Sequence, residues 1–214
     1  VLSRAGGEST DAAMKTEEGR NYLALSSQEE DLMSYLKQQK EAGVFGSIIV
    51  LVNSEQAMEL GWLDEYDVDA CLVVGRPGAV GYTGIVNVLT GAANPSGRLV
   101  DTYASNSLSA PATVFAGENT QTWANLDWVE NNDVDFGTDG SENNWIVYAE
   151  GIYVGYKYYE TRYEDTVLKA GNADSTKGSS TGNAWNYADE VSFTFGDGLS
   201  YTTFEQKLDQ VKYN

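Results

Sequence analysis

Residues 46–54 read GSIIVLVNS, and the run Ile48 to Val52 inside them is apolar without alternation. A strand wetted on one face alternates, so an unbroken run of this kind predicts a strand buried on both faces of a parallel sheet. Upstream, LSSQEEDLMSYLKQQKEAG (25–43) predicts a helix with both ends marked. Ser26 with Glu29, or Ser27 with Glu30, has capping-box spacing, Leu32, Met33 and Leu36 share a face, and Gly43 falls where a terminating glycine belongs. Downstream, a short segment around Trp62 and Leu63 ends near Tyr66, and ACLVVG (70–75) predicts a second strand. The loop GRPGAVGYTG (75–84) leads into a helical IVNVLTG closed by Gly91, and NPSG turns the chain into RLVDTY (98–103), an edge or antiparallel strand. Strand, helix, strand, helix, strand at this spacing predicts an α/β fold, a three-layer αβα sandwich with a mostly parallel sheet.

The texture then changes. Residues 1–103 are expected to form the sandwich core, 104–147 a loop-rich excursion carrying Trp123, Trp128 and Trp145, and 148–214 a return segment that completes the domain and leads toward a following one. In the return segment EGIYVGYKYYETRY (150–163) reads as a half-buried strand, with Ile152, Val154, Tyr156 and Tyr158 alternating against smaller or polar neighbours. Residues 171–188 are loop-like, and VSFTFGDGLSYTTFEQKL (191–208) closes with a strand-like pattern. The opening VLSRAGGESTD reads as the tail of a strand running into a glycine-flanked loop. The expectation is therefore a chain that starts inside a domain, with Val1 to Ser3 paired into the sheet beside another strand and an open flank next to them.

The bulk properties narrow the chemistry. A chain of 214 residues with 42% hydrophobic and 12% aromatic residues supports a packed globule. Thirteen basic against 32 acidic side chains give a formal charge of −19, which repels a phosphate backbone or an anionic lipid surface. Neither nucleic acid nor membrane is expected as a partner, and no stretch approaches the roughly 18 apolar residues of a membrane span. Cys71 is the sole cysteine, set in an apolar run where a small buried side chain is expected. Histidine is absent, so a Ser-His-Asp triad and a Cys-His pair are excluded within this sequence.

Ligands of open α/β sheets bind beyond the carboxyl ends of the parallel strands. Three places qualify: the opening loop with Glu8 and Asp11, the turn with Asn53 and Glu55, and the glycine-rich loop from Gly75. Glu8 stands out because its glycine neighbours let backbone approach a ligand while a carboxylate is held at the rim; the competing reading is a solvated loop glutamate. GRPGAVGYTG lacks the GxGxxG order and the lysine of a phosphate loop, so a tight turn explains it better than a nucleotide does. NNDVDFGTDG (131–140) has the composition of a calcium loop without its one-three-five spacing, and a polar loop is the default. The three loop tryptophans either stack on sugar faces or anchor the excursion to the core. No cofactor and no metal is expected.

Four stretches together carry a family resemblance. SRAGGESTD (3–11), WLDEYDVDACLVVGRPGAVGYTGIVNVLTGAANPSGRL (62–99), EGIYVGYKYYET (150–161) and FTFGDGLSYTTF (193–204) resemble, in that order, the second α/β sandwich domain of family-three glycoside hydrolases, the β-glucosidase group. Two positions depart from the pattern: Val100 and Thr194 stand where that family usually has proline. The resemblance implies an active site shared between domains. A barrel domain, absent from this sequence, would carry an aspartate nucleophile, and Glu8 would be the general acid/base of a retaining, exo-acting β-glycosidase. A retaining enzyme needs its two carboxyl groups about 5 Å apart across the glycosidic bond. The implied partners are a β-linked oligosaccharide or glucoside and that barrel domain. Arg4, Asp11, Trp123, Trp128 and Trp145 are the residues expected on the substrate side, with Arg4 turned from Glu8 toward Asp11 as a structural pair. The alternative is a non-catalytic carbohydrate-binding or scaffold domain of the same fold. Acidity, few cysteines and polymer-derived substrates point to a secreted or cell-surface parent, with a cytoplasmic one as the alternative.

Overall fold

In the computed structural model, described for residues 1–6, 12–116, 148, 150–205 and 207–212, a parallel three-stranded sheet has the order β1-β2-β3. β1 (Leu2–Ser3), β2 (Ile49–Asn53) and β3 (Ala70–Val73) pair with Leu2 opposite Val52, Ser3 opposite Asn53, and Val50 opposite Cys71. Leu2 and Ser3 thus join the sheet while Val1 stays outside it, exposed, and β1 has β2 as its one neighbour among the described residues. β2 is less enclosed than its sequence predicts. Val50 and Val52 are buried while Ile49 is 51% exposed, so one face of the strand is covered and the other is open at that end.

Helix α1 (Ser27–Glu41) starts as read. Ser26 is the N-cap, its hydroxyl accepting from the Glu29 amide while the Glu29 carboxylate accepts from the Ser26 amide. This capping box satisfies two of the free amides at the helix start. Gly43, at φ +72°, follows the C-cap Ala42 in the left-handed conformation that glycine adopts at least cost. Met33 is buried and Leu36 packs on the core, whereas Leu32 is 52% exposed; the core-facing stripe runs through positions 33 and 36. The core comprises Leu2, Leu25, Met33, Val50, Val52, Met58, Leu60, Leu63 and Tyr103 among its buried members. Val52 and Met58 are completely buried, and each such side chain contributes about 1.5–3 kcal/mol by leaving water. The Cys71 thiol packs against this core, and burial pushes its pKa up to about 11.

Two segments differ from their sequence expectation. Helix α2 (Gly78–Leu89) begins seven residues before IVNVLTG, so most of the glycine-rich loop is helical. Its N-cap is Pro77, whose restricted φ suits a helix entry, and a Cβ on Gly81 would meet the Pro77 ring at 2.8 Å. α2 buries none of its residues among the described ones. The second correction is larger. EGIYVGYKYYETRY is not a strand: Ile152 and Val154 are exposed and helix α4 occupies Tyr156–Leu168, after α3 at Pro111–Ala116. β-branched and aromatic residues bias such a stretch toward strand, but what decides is packing, and only Tyr159 of this helix is fully covered. Gly155 makes the entry possible at φ +58°, with Asp101 Oδ1 accepting from the Tyr156 amide at 2.8 Å.

A two-stranded antiparallel sheet joins β4 (Tyr103–Ala104) to β5 (Val191–Phe193); of the strand expected over RLVDTY only Tyr103 takes part, residues 98–102 being irregular. β5 is short, and the chain beyond Phe193 has no further strand among the described residues. A second buried cluster of Ala104, Ala110, Tyr159, Trp185 and Val191 ties this sheet to α4 and to the loop-like 171–185. Arg162 fastens that loop, donating to the carbonyls of Ala173 at 2.8 Å and Ser175 at 3.1 Å, with its guanidinium 4.7 Å from the Trp185 ring. The short helix α5 (Tyr187–Glu190) leads into β5. Parallel sheet and helices make the domain an α/β sandwich. No helix among the described residues is long and apolar enough to cross a membrane.

Candidate functional site at the carboxyl edge of the sheet

The carboxyl ends of β1, β2 and β3 lie side by side, because parallel register aligns Ser3, Asn53 and Val73 at one edge. Asn53 cross-links the three ends. Its side-chain amide donates to the Gly75 carbonyl, its backbone carbonyl accepts from the Arg4 amide at 3.3 Å, and the Ser3 hydroxyl donates to that same carbonyl at 3.3 Å. The loop after β1 leaves from this edge.

Glu8 and Asp11 lie outside the described residues, as do Trp123, Trp128, Trp145 and the acidic stretch 131–140. What is described is the pair of ends that holds the loop. Arg4 is the main anchor. Its Nε donates to the Tyr22 carbonyl (2.8 Å), Nη1 to the Ser3 carbonyl (2.9 Å) and Glu29 Oε1 (2.8 Å), and Nη2 to the Ala24 carbonyl (2.6 Å) and Glu29 Oε2 (2.6 Å). These bonds occupy all five N–H groups that a guanidinium has. Arg4 thus forms a bidentate pair with Glu29, while the expected Arg4–Asp11 pair lies outside the described residues. The reason is local: Glu29 is already fixed by the capping box, so its second carboxylate face costs little entropy to recruit. Burial pushes the Glu29 carboxyl up, but the hydrogen bonds from Arg4 and Ser26 outweigh it and hold the group below its usual range.

Two further clamps follow along the loop. The Tyr22 hydroxyl accepts from the Ala5 amide (3.1 Å) and donates to the Ala5 carbonyl (2.9 Å). Arg76, just past β3, donates from Nη2 to the Gly6 carbonyl at 2.8 Å while its Nε pairs with Glu55 at 3.0 Å. Gly6 also marks where the two ends meet, since a Cβ there would lie 2.9 Å from the Cβ of Ala12. Its glycine thus serves a close approach within the chain. Together the bonds of Arg4, Tyr22 and Arg76 hold residues 4–6 beyond the end of β1.

Sequence reading singled out the three edge loops but missed their fasteners. Glu29 was legible as a capping residue and not as a partner 25 positions from Arg4. Arg76 was overlooked inside a stretch read for its glycines. Among the described residues no group of three or more acidic or cysteine side chains is placed to hold a metal ion.

An α/β sandwich in which Glu29, Tyr22 and Arg76 hold Arg4, Ala5 and Gly6 just beyond β1 defines an α/β domain with a candidate site at the carboxyl edge of its sheet. The chain belongs to the glycosyl hydrolase family 3 C-terminal domain family, whose model matches residues 4–156. It is 28% identical over 205 residues to a β-glucosidase of Ruminococcus albus, covering 96% of this chain and 16% of that protein. It is 32% identical over 149 residues to β-glucosidase B of Emericella nidulans, covering 69% of this chain and 13% of that protein. The solved structure of a β-glucosidase from Paenibacillus barengoltzii superposes with a TM-score of 0.64 at 26% identity, covering 99% of this chain and 17% of that one. The chain thus spans about a sixth of the length of the relatives it matches.

Proposed function

We propose that this chain is the acid/base-bearing domain of a retaining, exo-acting β-glycosidase that hydrolyses terminal β-linked sugars, with Glu8 as the proton donor. The nucleophilic carboxylate resides on a companion barrel domain. The observation that carries this reading is the clamped exit of the SRAGGESTD loop at the carboxyl edge of the sheet, within the span matched by the family model. The β-glucosidase names of the relatives supply the substrate class.

The chemistry divides the labour. Glu8, protonated, gives its proton to the glycosidic oxygen as the bond to the anomeric carbon breaks, while the partner carboxylate forms the glycosyl-enzyme. The resulting Glu8 carboxylate then takes a proton from water as that water attacks the same carbon. A general acid needs a raised pKa, and a nearby unpaired arginine would oppose that. Arg4 is committed to Glu29, so its charge is balanced before the loop begins. A glutamate on a short loop with a rigid base meets a group on another domain without the base itself moving.

The test is Glu8→Gln in the full-length parent, assayed on a series of aryl β-glucosides of falling leaving-group pKa. Rates on poor leaving groups should fall by roughly 10²–10⁴ and those on activated ones far less. Equal rates across the series in wild type and variant would favour the scaffold reading.

A further inference from the structure

We propose that the cavity between α4, α5 and the end of β5 is a binding site for an uncharged pyranose ring. It measures about 470 Å³ and is lined by Glu160, Tyr163, Asn186, Tyr187, Thr194 and Phe195, with Ala188 at its rim. That volume lies within the roughly 300–1,000 Å³ of small-molecule sites.

Its walls are held in place by contacts that leave ligand-facing groups free. Phe195 stacks on Tyr156 with centroids 4.1 Å apart and planes 17° from parallel, which fixes one ring face and leaves the residue 45% exposed. Tyr163 packs on Tyr187 at 4.8 Å and 53°, and is itself 48% exposed. The Tyr187 hydroxyl donates to Glu160 Oε1 at 2.5 Å, orienting the carboxylate, and Oε2 has no hydrogen bond among the described residues. Asn186 accepts from the Ala188 amide through Oδ1 at 3.2 Å, which leaves its NH₂ group as a donor. Thr194 adds a hydroxyl that is both donor and acceptor.

This inventory selects a ligand class. No lysine or arginine lines the cavity, and a carboxylate does, so an anion is excluded. A carboxylate among aromatic rings also suits a cation, but a cation has no use for the Asn186 and Thr194 donors. A pyranose presents apolar C–H faces to Tyr163 and Phe195 and a rim of hydroxyls that both donate and accept. Pre-set rings lower the ordering cost that otherwise weakens small open sites. The sequence concealed this group, because Glu160 and Tyr163 share a face only when 156–168 is a helix.

The experiment uses the full chain labelled with 3-fluorotyrosine, the ¹⁹F resonances of Tyr163 and Tyr187 being assigned by Tyr163→Phe and Tyr187→Phe. Cellobiose is titrated in, with tetramethylammonium as the competing probe. Both resonances should shift saturably with a Kd of roughly 1–10 mM, a weak but specific range, and Glu160→Gln should weaken binding at least about 5-fold. Phe195→Ala, which leaves the Tyr187–Glu160 bond in place, gives the same readout if the glutamine variant fails to fold. Sugar bound elsewhere in the protein does not move these two signals. No shift up to 100 mM cellobiose, an unchanged Kd in both variants, or a response to tetramethylammonium without one to cellobiose would each overturn the proposal.

Discussion

Replacing Glu29 by glutamine tests the anchor of the opening loop. The substitution keeps the size of the side chain and one carbonyl oxygen for the capping box, but places an NH₂ group against an Arg4 nitrogen that donates at 2.6–2.8 Å. One charge-assisted hydrogen bond is lost, worth about 1.5–3 kcal/mol. The Arg4 charge, whose side chain is only 9% exposed, loses its counter-ion. Removing one partner of a fully buried pair costs about 3–5 kcal/mol. Glu29 is 21% exposed, so we expect a smaller total of about 2–4 kcal/mol at pH 7, read as a shift in urea midpoint at constant slope. Arg4→Met should cost a similar amount and the double variant less than the sum, with a coupling of about 1–3 kcal/mol. The pH dependence has a definite sign. The folded Glu29 carboxyl lies below its unfolded value of 4.5, so its contribution is complete above that value and is lost as pH falls through the lower folded one. The gap between wild type and Glu29→Gln should therefore close in acid. A variant within about 0.5 kcal/mol of wild type at pH 7, the range of ordinary surface substitutions, or a gap that widens as pH falls, would refute the reasoning.

Three other outcomes follow from single contacts. Glu190 is completely buried, with Oε1 accepting from Ser179 Oγ and the Ser180 amide and Oε2 without a partner among the described residues. Glu190→Gln keeps the first oxygen and its two hydrogen bonds, so thermal denaturation should show a change within about 1 kcal/mol, while Glu190→Ala should lose about 2–4 kcal/mol. Gly155→Ala should destabilise by about 1–3 kcal/mol in the same assay, because φ is +58° and the new Cβ would sit 2.8 Å from Asp101 Oδ1. With its pKa pushed up to about 11 by burial, Cys71 should react with iodoacetamide at pH 8 on the order of 100-fold more slowly than an exposed thiol, and recover in urea.

How much of this was legible depended on whether a signal was local. The ends of α1 were readable because a capping box and a terminating glycine act within a few residues. The strands 49–53 and 70–73 were readable as apolar runs, and their parallel pairing followed from the intervening spacing. Helix α4 was misread because Tyr156, Tyr158 and Ile152 alternate like a strand, while the fact that decides the matter, Tyr159 buried against Trp185, links residues far apart in sequence. Leu32 looked equivalent to Leu36 on a helical wheel, but the core lies toward Met33. The candidate loop was identifiable from its glycines. Its fasteners were not, because Arg4–Glu29 ties the segment after β1 to the start of α1 and Arg76–Gly6 ties it to the segment after β3, and neither leaves a spacing pattern.

The central claim is that Glu8 acts as general acid and base, and its most direct test is azide capture in the parent enzyme carrying Glu8→Ala. With an activated aryl β-glucoside, the glycosyl-enzyme forms without acid assistance, and azide, which needs no general base, should attack it. We expect turnover to rise with azide concentration and proton NMR to show β-glucosyl azide of retained configuration. Azide that leaves the variant's rate unchanged, or a product of inverted configuration, would contradict the assignment.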